Sequence, residues 1–189
     1  VNALGTAEPV TISALVTGSA GLTKAGTGTL ILSAPSTYSG ETAINAGTLT
    51  LQNGAFSTTA RTYTIASGAV LNLDGNTGVA SGTTTFGGTG TLRITGGTFA
   101  NESPNSPVGP GRSIAMNLDG GALIDVPVGA TFYNGGWQNI NWTGNSANLS
   151  VNGDFTLAEG QSVFVNSLNG AGTITGDATT GGGGGTLQL

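Results

Sequence analysis

A glycine followed by apolar residues in alternation, returning about every twenty residues, is the feature that most limits what this chain can fold into. Gly28, Gly47, Gly68, Gly90, Gly121, Gly160, Gly172 and Gly185 are each followed within five residues by apolar partners. Leu30 and Leu32, Leu49 and Leu51, Leu71 and Leu73, Leu92 and Ile94, and Ile124 and Val126 are such partners; Val163 with Val165 and Leu187 with Leu189 extend the series. Partners two apart lie on one side of a β-strand, and the intervening Thr, Asn or Arg faces the other. The first steps, Gly28 to Gly47 to Gly68 to Gly90, are 19, 21 and 22 residues. A step near 20 is one turn of a parallel β-helix with short strands. No 3.6-residue periodicity competes with it. The glycine before each strand permits the positive φ of a corner.

The richest copy is GLTKAGTGTLILSAPSTYSGETAINAGTLTL, Gly21–Leu51. Its Leu22-Thr23-Lys24, Gly26-Thr27-Gly28-Thr29-Leu30, Tyr38-Ser39-Gly40, Thr42, Ile44 and Gly47-Thr48-Leu49 resemble the autotransporter-associated β-strand repeat of bacterial surface proteins. That resemblance implies an extracellular, right-handed parallel β-helix.

Composition narrows the function. Net charge is −5, and the only cations, Lys24, Arg61, Arg93 and Arg112, are scattered. No basic stripe can follow a phosphate backbone, so nucleic acid is not an expected partner. No apolar run is long enough for a membrane-spanning helix, and membrane insertion is not expected. With no Cys and no His, disulfides, thiolate sites and the usual general base are excluded. Gly87-Gly88-Thr89-Gly90 has the glycines of a calcium-binding roll but not its aspartate, and no cofactor is expected. Asp74 and Asp119 share a Leu-Asp-Gly context and would stack on adjacent turns; Asp before Gly reads as turn chemistry, and no enzyme activity is expected.

The whole chain, 1–189, reads as one all-β solenoid of about nine turns, roughly 40–45 Å long at ~4.8 Å per strand. Residues 100–112 carry three prolines and read as an excursion loop, either a tolerated insertion or a binding loop. The segment 131–142 holds both tryptophans. Tyr133, Trp137 and Trp142 there are candidates for a sugar-binding platform, or else they fill a wide turn. Residues 181–189 read as a glycine tether with a terminal strand. Val1 reads as the residue left by signal-peptide removal, giving a secreted or cell-surface protein.

Both termini carry alternating apolar strands and no capping helix. Val10, Ile12 and Leu15 at one end and Thr186, Leu187 and Leu189 at the other are the expected joint of a head-to-tail homopolymer. The expected function is an extracellular filament subunit. The alternative is an adhesin passenger fragment that grips a glycan or matrix surface.

Overall fold

The computed structural model of the chain describes residues 8–52, 61–75, 82–95, 98–99, 112–134, 139–158, 161–177 and 185–189. None of these is helical. They form a β-solenoid in which every strand pairs in parallel with the strand one turn before and one turn after. The longest sheet stacks β1 (Val10–Ile12), β3 (Thr29–Leu32), β5 (Thr48–Gln52), β7 (Val70–Asp74), β9 (Thr91–Thr95), β12 (Leu123–Val126), β15 (Asn148–Val151) and β18 (Ser167–Asn169). A second sheet stacks β2 (Leu22–Lys24), β4 (Thr42–Ile44), β6 (Thr62–Ile65), β8 (Gly82–Gly88), β11 (Arg112–Leu118) and β14 (Asn139–Asn141). Six turns carry a strand in both of these sheets, at a spacing near 22 residues. Eight stacked strands span about 34 Å at ~4.8 Å each, somewhat less than the length expected from nine turns.

The alternation seen in the sequence becomes a column. Leu30, Leu49, Leu71, Leu92, Ile124 and Leu149 lie in register and are at most 1% exposed. Each such side chain contributes roughly 1.5–3 kcal/mol by leaving water. Because each turn touches only its neighbours, the contributions add along the stack.

Steps along the column change with the cross-section. From Leu30 they are 19, 22, 21, 32, 25 and 19 residues, ending at Leu168. Where the step lengthens to 32, a third sheet begins: β10 (Thr98–Phe99), β13 (Thr131–Asn134), β16 (Asp154–Ala158) and β19 (Thr173–Asp177). The break in period therefore introduces a new face. The expected excursion loop, 100–112, lies outside the described residues apart from Arg112, which opens β11.

A wider turn needs larger side chains. Phe132, Phe155 and Trp142 supply them, with Phe132 and Phe155 ring centroids 4.9 Å apart and Trp142 at 6.0 and 6.5 Å from them. All three are at most 1% exposed.

The short late repeats resolve into two faces counted separately. Val163 sits on β17 (Ser162–Phe164) and pairs with Leu187 on β20 (Thr186–Gln188), in a sheet of two strands. The strand after Gly172, β19, belongs to the third sheet. The next member of the long column is Leu168.

Glycine placement also departs in part from expectation. Gly47, Gly68 and Gly121 have positive φ, but near the others it falls on Gly26, Gly88 and Gly170, two positions earlier than expected. Gly90 and Gly172 are required for a different reason. A Cβ on Gly90 would meet the Ala66 carbonyl oxygen, and one on Gly172 the Gly153 carbonyl oxygen, so the preceding turn leaves no room for one. Asp74 and Asp119 do not stack: Asp74 ends β7 and faces Thr95, whereas Asp119 follows β11 of the second sheet.

Candidate functional site: the ends of the apolar column

Two kinds of structure merit a functional reading. One is the pair of exposed column ends, and the other is the polar core of the first turns.

At the first end, β1 pairs with β3 along one edge, so Val10, Thr11 and Ile12 face Leu30, Ile31 and Leu32. Among the described residues nothing pairs with its other edge. Val10 stands in the Leu30–Leu149 column but is 44% exposed, because no side chain stacks beyond it. Ile12 is half-buried against the core, and Leu15 is exposed beyond the strand.

At the opposite end, Leu168 on β18 pairs with Leu149 and is 38% exposed for the same reason. Sequence reasoning missed Leu168, although its position 19 residues after Leu149 carried the signal. It chose β20 instead. Thr186 is exposed, Leu187 is half-buried against the core and Leu189 is exposed. β20 is already laid on β17: Thr186 N–H donates to the Gln161 carbonyl at 2.8 Å, and Val165 N–H to that of Gln188 at 3.1 Å. It is a strand of its own solenoid with one open edge among the described residues, not a loose arm.

The ligand candidates fare differently. Trp142 is 1% exposed and packs on Phe132 and Phe155, so it fills the wide turn and presents no ring to a sugar. This corrects the platform reading at that residue. Tyr133, on β13, is half-buried, and Trp137 lies outside the described residues.

In the first turns, Lys24 occupies the inward column of the second sheet, in register with Ile44, which in turn faces Ile65. Its side chain is fully buried. The stem fills a core position while Nζ reaches the corner and donates to the carbonyls of Gly26 at 2.7 Å, Ala46 at 2.9 Å and Ala25 at 3.2 Å. Burial pushes the ammonium below the ordinary lysine pKa of 10.5. These carbonyls belong to the corners where the chain leaves β2 and β4, so one cation ties two successive turns together.

The opposite side of these turns has no strand, and Tyr38 closes it. Its ring is 2% exposed, its hydroxyl shares a 2.7 Å hydrogen bond with buried Thr42, and the Arg61 guanidinium lies 3.6 Å above its centroid. Arg61 also donates to the carbonyls of Tyr38 and Ser36.

Polar groups on the outer faces are tied across turns. Arg93 Nε donates to Asp125 at 2.8 Å, Gln52 Nε2 to Asp74 at 2.7 Å, and Thr95 Oγ1 to Asn72 at 3.0 Å. No group of three acidic, Cys or His side chains that could hold a metal occurs among the described residues.

These features define a parallel β-solenoid with an apolar column and a cation-tied corner. Residues 22–51 match the passenger-associated-transport-repeat family model. The chain thus has the fold and the repeat of an autotransporter passenger-type surface protein. No curated protein and no solved structure matches it. The matched segment holds Lys24, Tyr38, Thr42, Ile44, Gly47 and Leu49, each of which closes a corner or the core of the first turns. The repeat is therefore the recipe for starting and turning the stack.

Proposed function

We propose that the chain is a structural rod of the bacterial cell surface whose turn-on-turn stacking continues from one copy to the next. The carrying observation is that Val10 and Leu168, the two ends of a column elsewhere sealed, are 44% and 38% exposed. An occupant that seals such an end must bring a parallel strand with an inward apolar residue, and the opposite end of another copy has one. The contact is heterologous and does not close on itself, so it builds a filament. The outer carboxylates support a structural role over a catalytic one, since Asp74 and Asp125 are held by Gln52 and Arg93.

Negative-stain electron microscopy across a concentration series tests this. Thin unbranched fibres are expected, lost in Leu168→Lys and Val10→Lys while circular dichroism stays that of the parent. Monodisperse short rods at every concentration would refute end-to-end assembly. Deleting 181–189 removes β20 and is expected to weaken the fibres; fibres unaffected by it would limit the joint to the long sheet.

A further inference from the structure

The sides of the rod carry a second feature that assembly does not use. Between the first and second sheets' early turns lies a cavity of about 310 Å³, lined by Ser39, Gly40, Glu41, Arg61, Thr62 and Thr83. It stands at the lower end of the ~300–1,000 Å³ typical of small-molecule clefts. Three hydroxyls, a carboxylate and a guanidinium line it, and no large apolar side chain does.

The charges there are unbalanced in a specific way. Arg61 is only 4% exposed, its Nε has no hydrogen-bond partner, and it pairs with no carboxylate. Buried charges are ordinarily paired, so a guanidinium in this state is short of an acceptor. Glu41 lines the same cavity without pairing with Arg61; it accepts from the Thr64 hydroxyl and remains exposed. An occupant that satisfies both must accept from the guanidinium and donate to the carboxylate. A simple anion would face Glu41, and a simple cation would face Arg61. Adjacent hydroxyl groups do both, because each donates and accepts.

We infer that this cavity is a subsite for a neutral sugar ring, held through vicinal hydroxyls between Arg61 and Glu41, with Ser39, Thr62 and Thr83 around it. The site is formed by residues of successive turns and is complete in a single copy, so it does not depend on filament formation.

The test is amide chemical-shift mapping of the full chain titrated with the methyl glycosides of glucose, galactose, mannose and N-acetylglucosamine, with glucuronate as the acidic control. Shifts confined to residues 39–41, 61–62 and 83 are expected for at least one neutral sugar, with millimolar affinity. Glu41→Gln, on an exposed position that folding does not need, is expected to weaken binding about tenfold. Thr62→Ala serves as a second variant. Absence of shifts at these residues for every neutral sugar, binding by glucuronate alone, or unchanged affinity in both variants would each overturn the assignment.

Discussion

Replacing Lys24 with Met keeps the length and apolar stem of the side chain and removes only the ammonium. Three carbonyls, of Ala25, Gly26 and Ala46, then lose their charged donor inside the corner. A hydrogen bond from a charged group contributes roughly 1.5–3 kcal/mol. Against the three stands the cost of having desolvated the ammonium, several kcal/mol, which the methionine does not incur. The expected net loss is about 3 kcal/mol near neutral pH, read by urea denaturation followed through tryptophan fluorescence.

The pH dependence supplies a second, independent readout. The folded-state pKa lies below the unfolded value of 10.5, so between the two the unfolded chain binds more protons. Parent stability therefore rises with pH through that window, by at most ~1.4 kcal/mol per unit, and levels off above 10.5. Lys24→Met lacks this gain, so the gap between parent and variant widens as pH climbs to 10.5. A variant within ~0.5 kcal/mol of the parent, a scatter ordinary for surface substitutions, would refute the carbonyl-cage account. A gap constant with pH would show that burial does not depress the ammonium.

Three further outcomes are expected. Trp142→Ala empties the centre of the aromatic cluster and should cost ~3–5 kcal/mol in the same denaturation assay, against under 0.5 kcal/mol for a side chain that merely displays a ring. Gly47→Ala must adopt a φ of +66° and push its Cβ into the Gly28 carbonyl oxygen, so a loss above ~2 kcal/mol is expected; Gly129→Ala, with a φ of +82° but open space around it, should cost only ~1 kcal/mol. Arg93→Ala breaks a pair whose arginine is 43% exposed, and a loss below ~1 kcal/mol that shrinks further in salt is expected.

The column was legible in the sequence because alternation is local: Leu49 with Leu51 and Leu71 with Leu73 announce their own faces. Corner glycines were legible as a class, but their reason was not. Gly90 and Gly172 have no positive φ, and the need for a missing Cβ arises from a carbonyl one turn away. The third sheet was hidden for a similar reason. A longer step can mean a loop or a new face, and the choice depends on whether Phe132 and Phe155 find a common interior. Trp142 misled because aromatic content beside Asn and Gln looks alike on a surface and in a wide core. The Arg61–Glu41 cavity was invisible, since residues twenty apart come together only once every intervening loop length has set the register.

The growth from two strands per turn to three also has a mechanical consequence. A beam resists bending in proportion to how far its material lies from the axis, so the later turns, with a third sheet and a tryptophan-filled centre, form the stiff portion. Side load on the rod should gather in the slimmer turns around β3, β5 and β7. There the Lys24 cage and the Tyr38–Arg61 stack, rather than another sheet, resist the flexing.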